Sequence, residues 1–255
     1  MVRAFDFFGN IVLVNFPKSM KLKEKKVFAN NLMKRNKAIK TVLEKAGKIK
    51  GRLRKPEVKY IAGEKTKEVL YKENNCVFRF NIATTYFSPR LSNERKEIAN
   101  KIKKNDEVLV LFAGVAPFSI VIAKNSKAKR VVSNEINREA NKYGKLNVEL
   151  NKLKNKIEFW NGDFKKIKKK DKFDVIVMPR PQLKETFLKE SLKFSKKGTK
   201  IYYYDFCKAD GIKDVVKKIK KEAKKSKKNI KILKKKVAGE IAPYKVRARV
   251  DFQVI

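Results

Sequence analysis

The stretch Asp106–Ser119, DEVLVLFAGVAPFS, carries the first sign of chemistry. Val108, Leu109, Val110 and Leu111 read as an apolar strand, Gly114 as a turn, and Pro117 as the first helical residue, where its missing N–H costs nothing. Glycine lets a ligand approach the backbone, and a helix start offers free N–H groups, so the stretch is a nucleotide-sized cradle. An FAG turn alone also occurs as a plain strand-to-helix connection. Two later carboxylates sharpen the reading. Glu135 sits in Ser133-Asn134-Glu135-Ile136-Asn137 at the end of the next strand, where an acid can accept hydrogen bonds from both ribose hydroxyls. Asp163 follows Asn161-Gly162 after a third strand and can accept from an adenine amino group. A fourth strand ends in Met178-Pro179-Arg180-Pro181, where a ligand and a second substrate would meet at the carboxyl edge of a sheet. Each feature alone reads equally well as a polar loop cap. Their joint spacing points to an S-adenosylmethionine-type site.

Composition removes other chemistries. The chain of 255 residues contains no His, which excludes imidazole acid–base catalysis, Ser–His–Asp triads and His metal sites. Cys76 and Cys207 form neither a disulfide framework nor a zinc site, so no metal is expected and a reduced, cytoplasmic protein is the simple reading. No apolar run reaches membrane-spanning length and no signal peptide precedes the first strand, so no membrane partner is expected. The net charge of +41 is spread over most of the chain. It reads either as a lysine-rich solvated surface or as a docking field for a polyanion, most naturally a nucleic acid.

The elements that must position these residues follow two rhythms. Residues 4–16 read as a hairpin around Gly9-Asn10. Residues 22–46 read as one helix stopped by Gly47. Residues 58–62, 67–73 and 76–82 read as strands, with a turn at Glu73-Asn74-Asn75, and Gly51–Lys55 is a basic loop. From Asn93 the pattern becomes strict alternation. A helix is expected at 94–102, and strands at 107–112, 130–135, 156–160, 173–178, 199–206, 229–237 and 245–254. Helices are expected at 117–124, 138–151, 164–170, 182–196 and 212–226. Parallel strands need crossover helices, whereas the last two strands are joined by a short link and form an antiparallel hairpin. The Lys-rich run 213–236 reads as the solvated face of a helix and its loop. The fold class is therefore α/β: a Rossmann-like class I methyltransferase sheet of seven strands, the last antiparallel, in residues 81–255, with a small α/β, RNA-facing domain in residues 1–80.

Three stretches carry a resemblance. Thr85-Tyr86-Phe87-Ser88-Pro89-Arg90-Leu91-Ser92-Asn93-Glu94-Arg95, Phe112-Ala113-Gly114-Val115-Ala116-Pro117-Phe118-Ser119-Ile120 and Tyr202-Tyr203-Tyr204-Asp205-Phe206 resemble the archaeal and eukaryotic tRNA guanine-37 N1-methyltransferase family. That family shares its fold with the wybutosine-pathway aminocarboxypropyltransferase, and the similarity runs from about residue 4 to the C-terminus. The resemblance implies S-adenosylmethionine as cofactor and the anticodon stem-loop of tRNA as partner, with the enzyme acting as a monomer. It matches Glu94 to the general base that takes the N1 proton of guanine, and Arg54 to an arginine that steadies the target base. A carboxylate suits the first task in a chain without His. The plainer readings are an acid stabilised at a helix N-terminus for Glu94, the lesser of its two, and one more surface cation for Arg54. Tyr86 and Arg95 match positions beside the methionine moiety, Glu135 the ribose acid and Asp163 the adenine contact. Further cofactor contacts are implied at Ser88, Phe112, Ala113, Gly114, Val115, Pro117, Phe118, Ile136 and Pro179. Arg95 is expected to help keep Glu94 ionised.

The chain also departs from the family pattern. Val110 stands where an acid is usual, which removes a polar contact near the ligand. Ala116 replaces a glycine and is expected to narrow the cradle. Pro179-Arg180-Pro181 replaces an Asn-Leu-Pro motif and its amide side chain. The family's extra N-terminal domain is expected to be missing, which leaves tRNA recognition less global. The preferred activity is N1-methylation of guanosine 3′ of the anticodon. The alternatives are aminocarboxypropyl or methyl transfer to a wyosine-type intermediate at that position, and a non-catalytic RNA-binding protein on the same fold.

Overall fold

The computed structural model describes residues 4–47 and 56–255. The basic loop 51–55, and Arg54 with it, lies outside the described residues. A four-stranded sheet comes first: β1 (Ala4–Phe8), β2 (Ile11–Asn15), β3 (Thr41–Lys45) and β4 (Val58–Gly63), in that order, with helix α1 (Leu22–Arg35) crossing between β2 and β3. Alternation assigns its faces. Val12, Val14 and Val42 pack with Ala29 of α1, whereas Ile11 and Leu43 point to the opposite face and join the main core.

The single helix expected over 22–46 is corrected here. Asn36 ends α1, its Oδ1 accepting from Ala38 N at 3.0 Å. The β-branched Thr41 and Val42 then run parallel to β2, so Gly47 follows a strand and stops no helix.

Strands β5 (Glu68–Glu73) and β6 (Cys76–Asn81) form a hairpin whose turn residues Asn74 and Asn75 both have positive φ. It is tied to both bodies. The Gly9-Asn10 turn docks on it: Asn10 accepts from Leu70 N at 2.8 Å and donates to Glu68 O at 3.1 Å. A Cβ at Gly9 would lie 1.9 Å from Leu70 O, so this approach demands glycine. On the other side, Asn147 and Asn151 satisfy the backbone of Arg79 and Val77.

The second body is a seven-stranded sheet. In chain order its strands are β7 (Glu107–Leu111), β8 (Arg130–Glu135), β9 (Ile157–Asn161), β10 (Phe173–Met178), β11 (Ser195–Lys208), β12 (Ile230–Ala242) and β13 (Lys245–Val254). They lie in the order β12-β13-β11-β10-β7-β8-β9, and β13 pairs antiparallel with both β11 and β12. The class I methyltransferase arrangement expected from the alternation is therefore present. Helices α2 (Ser92–Ala99), α3 (Pro117–Asn125), α4 (Arg138–Leu150), α5 (Leu188–Leu192) and α6 (Ile212–Lys225) cover it. In α6 only Val215, Ile219 and Ala223 are buried, so its lysines form a solvated face.

Two helices are shorter than expected. The 164–170 segment is a single 3₁₀ turn, Phe164–Lys166, and the 182–196 segment keeps only α5. The buried Arg180 Nη2 binds the carbonyls of Leu183 and Glu185 at 2.6 and 2.7 Å, which takes acceptors that a helix would need.

Candidate active site

The carboxyl ends of β7, β8, β9 and β10 open into one cleft of about 740 Å³ of empty space, part of it open to solvent. Its apolar walls include Phe112, Ile136, Phe164, Leu183 and Phe187. Phe112 and Phe187 meet edge to face at 5.2 Å, and both hold positive φ, a strained backbone that the packing around them fixes.

Polar groups converge at the mouth of β7. Gly114 N donates to Glu135 Oε2 at 2.8 Å, and Asn137 N donates to Oε1 at 2.7 Å. Burial pushes the Glu135 carboxyl up from its ordinary range, against the opposing pull of the Asn137, Gly114 and Ile136 N–H groups. Asn137 caps α4 by accepting from Glu139 N, and its Nδ2 donates to Thr84 O at 3.0 Å. Asn134 donates to Trp160 O and Gly162 O, joining the β8 and β9 ends. Asp163 lines the cleft beside Gly162 and accepts from Lys165 N at 3.1 Å. A Cβ on Gly114, at φ +58°, would stand 3.3 Å from Tyr86 O, so the chain before α2 closes tightly over the turn.

Ala116 corrects one expectation. It holds φ +66° at the N-cap of α3, a position that suits glycine. Its methyl lies 3.6 Å from where a Cβ on Gly144 of α4 would be, and it does not line the cleft. The cradle is not narrowed; the absent side chain on α4 receives the methyl. Val110 is fully buried in the sheet.

Of the expected cofactor contacts, Tyr86, Phe112, Gly114, Glu135, Ile136, Asp163 and Pro179 line this cleft together. Ala113, Val115, Pro117 and Phe118 build the turn and helix start behind it: Ala113 N donates to Asn134 O, and Val115 O accepts from Asn147. Arg95 is placed elsewhere. It is fully buried, binds both carboxylate oxygens of Glu73 and the carbonyl of Ser88, and lies over the Phe87 ring at 4.9 Å. The expectation that Arg95 keeps Glu94 ionised is therefore corrected.

Glu94 has other partners. Its Oε2 accepts from Arg249 Nη1 at 2.6 Å and from Tyr204 OH at 2.9 Å, and Lys236 Nζ lies 2.7 Å from Oε1. Arg249 also binds Glu97 at 2.6 Å and Asp251 at 2.7 Å. Arg249 holds the Glu97 carboxyl down at about 2, while burial and Glu94 push the Tyr204 phenol well up. Glu94 is buried and does not line the cleft, although Tyr204 packs edge-on against Phe118 at the start of α3. Arg249 and Lys236 carry no local motif that would have marked them. Asn137, by contrast, was legible as a helix cap ahead of Arg138. Leu183 and Phe187 were hidden by the mistaken helix.

The residues present fit a nucleoside carrying a charged sulfur. A half-buried acid with lone pairs left over faces the cleft, a second acid lies one strand away, and aromatic and aliphatic walls flank both. No helix of the described residues is long and apolar enough to cross a membrane.

Comparison with known proteins agrees with this geometry. The TRM5/TYW2 methyltransferase domain family matches residues 69–233, and the TYW2 N-terminal domain family matches residues 1–66. The tRNA (guanine(37)-N(1))-methyltransferase Trm5b of Pyrococcus abyssi is 33% identical over 252 residues, 98% of this chain and 74% of that protein. The tRNA (guanine(37)-N(1))/4-demethylwyosine(37)-methyltransferase Taw22 of Nanoarchaeum equitans is 31% identical over 304 residues, covering 99% of this chain and all of that protein. Among solved structures, Methanocaldococcus jannaschii Trm5 in complex with adenosine superposes with a TM-score of 0.85 at 30% identity, over 99% of this chain and 74% of that one.

Proposed function

The chain belongs to the TRM5/TYW2 methyltransferase family, and from that premise we propose that it is a tRNA (guanine-37-N1)-methyltransferase using S-adenosylmethionine. The observation that carries this reading is the Gly114–Glu135 pair at the mouth of an apolar cleft, in a chain similar along nearly its whole length to enzymes of that activity. When bound, S-adenosylmethionine supplies an electrophilic methyl group. In this reading Glu135 takes the ribose hydroxyls, Asp163 the adenine amino group, and Phe112 and Phe187 exclude water. Tyr86 closes over the cradle. Guanine N1 carries a proton at neutral pH, which must leave as the nitrogen gains the methyl group. We assign its removal to Glu94, with Oε1 as the accepting atom, because Lys236 alone holds that oxygen among the described residues. Arg54 is assigned to steadying the target base. Arg95 is assigned an indirect part, fixing the chain at Ser88, which does not itself line the cleft.

The first 80 residues are proposed as the RNA-facing unit and the remainder as the cofactor-binding unit, acting as a monomer on the anticodon stem-loop in the cytoplasm. The Nanoarchaeum relative, matched over its full length, favours a second substrate, a wyosine-type intermediate at the same position. The test incubates the protein and S-adenosylmethionine with a tRNA transcript, and separately with tRNA bearing that intermediate. Mass analysis of the digested nucleosides is expected to show 1-methylguanosine from the transcript. A transcript left unmodified would reject the main reading, and a gain larger than one methyl would identify aminocarboxypropyl transfer.

A further inference from the structure

The proposed RNA substrate needs more than a cleft, and the hairpin of β12 and β13 offers a surface for it. Strands β11 and β13 stay paired out to Lys208 and Lys245. Tyr203 of β11 pairs with Met178, the last residue of β10, so the hairpin continues five residues past that point. At about 3.3 Å per residue it stands roughly 16 Å beyond the carboxyl edge where Pro179 and Pro181 line the cleft. Its tip is the two-residue turn Pro243-Tyr244, closed by the Ala242–Lys245 pair.

Tyr244 is the unusual residue there. It is 87% exposed, so it adds nothing to a core, and it holds φ +60°, where glycine or asparagine is favoured after a turn proline. The turn is nevertheless pinned, since Ala209 N donates to Tyr244 O at 3.2 Å. A large ring is thus held out into solvent on a strained but anchored backbone. Three cations stand at the tip, Lys245 and Arg247 on β13 and Lys208 opposite Lys245 on β11, against Glu240 and Asp210. The guanidinium of Arg247 lies 5.0 Å over the Phe206 ring beside the tip.

We propose that Tyr244 is a stacking platform for an unpaired base of the RNA, with Lys208, Lys245 and Arg247 beside it meeting the adjoining phosphates. This rests on the tRNA-methyltransferase reading above and adds a contact outside the cleft. A protruding aromatic ring among cations suits single-stranded nucleic acid, because every base has a face to stack and every linkage an anion. A second copy of the chain fits less well, since β12 presents Lys231, Lys234 and Lys235 along its edge and like charges oppose edge-to-edge pairing.

The test measures anticodon stem-loop affinity for Y244G, Y244F and K245A at several salt concentrations, together with melting temperature and sedimentation. Glycine relieves the positive φ, so Y244G is expected to melt no lower than the wild type while losing roughly 5- to 150-fold in affinity, the range for one lost stack. Its salt dependence should match the wild type, whereas K245A should flatten it. Y244F is expected to bind like the wild type. Methyl transfer by Y244G at saturating RNA should keep its rate. Unchanged affinity in Y244G overturns the proposal, as does a change in oligomeric state without a change in RNA binding. Wild-type protein that binds RNA through Tyr244 but transfers no methyl group would reject the reaction and leave this contact standing.

Discussion

Arg249 Nη1 lies 2.6 Å from Glu94 Oε2, joining β13 to α2 across 155 positions of sequence. The guanidinium is fully buried and also binds Glu97 and Asp251, so one guanidinium bridges three carboxylates, whose remaining charge Lys236 and Lys101 balance. Removing one member of such a cluster leaves buried charge without a partner, which typically costs about 3–5 kcal/mol. R249M is therefore expected to melt about 6–20 °C lower in calorimetry. R249K should recover only part of this, because a single ammonium cannot span the three acids as a planar fork does. A melting temperature within about 2 °C of wild type, well below that range, would show the cluster to be energetically neutral.

The same cluster sets an acid limit. Arg249 and then Lys236 hold the Glu97 carboxyl at about 2, below the ordinary 4.5. A depressed carboxylate stabilises the fold above its unfolded value and loses that contribution as pH falls through its folded value. Stability from Glu97 should be complete above about pH 5 and gone near pH 2. Allowing for its partial exposure, the effect is about 1–2 kcal/mol. Urea titrations of wild type and E97Q should diverge at neutral pH and converge at acid pH. A constant gap across that window would assign the stability to shape and not to charge.

The sheet was legible because its central strands are covered on both faces, so Val108–Leu111 and Phe173–Met178 read as continuous apolar runs. The cradle and Glu135 were legible because a strand, a turn and an acid are adjacent in sequence. Strand β3 was hidden in a Lys-rich stretch whose local propensity favours helix, and only pairing with β2 decides otherwise. The loop before α5 was hidden because its helix is undone by the side chain of Arg180, which is also paired with Asp205. The partners of Glu94 come from the last two strands, and nothing near Glu94 announces them.

Glu135 couples the cradle's own hydrogen bonds to the proposed ribose contact. Burial raises its carboxyl pKa, so the charged form weakens the free protein slightly at neutral pH. E135Q relieves the buried charge but sets its NH2 against the N–H of Gly114 or Asn137, so it is expected to melt somewhat below the wild type. It should bind S-adenosylmethionine roughly ten- to a hundred-fold more weakly, the scale of one charge-assisted hydrogen-bond pair. Calorimetric titration over mildly acidic pH should show the wild type approaching the variant as its carboxylate takes up a proton. Equal affinities at neutral pH would move the ribose contact away from Glu135.

Glu94 is the sharpest case, because two roles compete for one side chain. As a structural anion it answers Arg249; as a base it takes the guanine N1 proton through Oε1. Glutamine in its place still accepts from Arg249 but cannot take a proton. E94Q is therefore expected to lose about 10²–10⁴ in single-turnover methylation at saturating substrate, while cofactor and tRNA binding change little. The loss should shrink at alkaline pH, where guanine N1 releases its proton unaided. Lys236 is the discriminating neighbour, since it holds Oε1 from a partly exposed position. K236M frees that oxygen and should keep or raise the single-turnover rate. If the base instead needs the lysine to stay fixed, the rate falls with E94Q. Near wild-type turnover in E94Q at neutral pH would leave Glu94 as the counter-ion of Arg249 alone. The proton would then have to go to Asp163, which lines the cleft, or to water, because Asp205 is already held by Arg180 and Lys218.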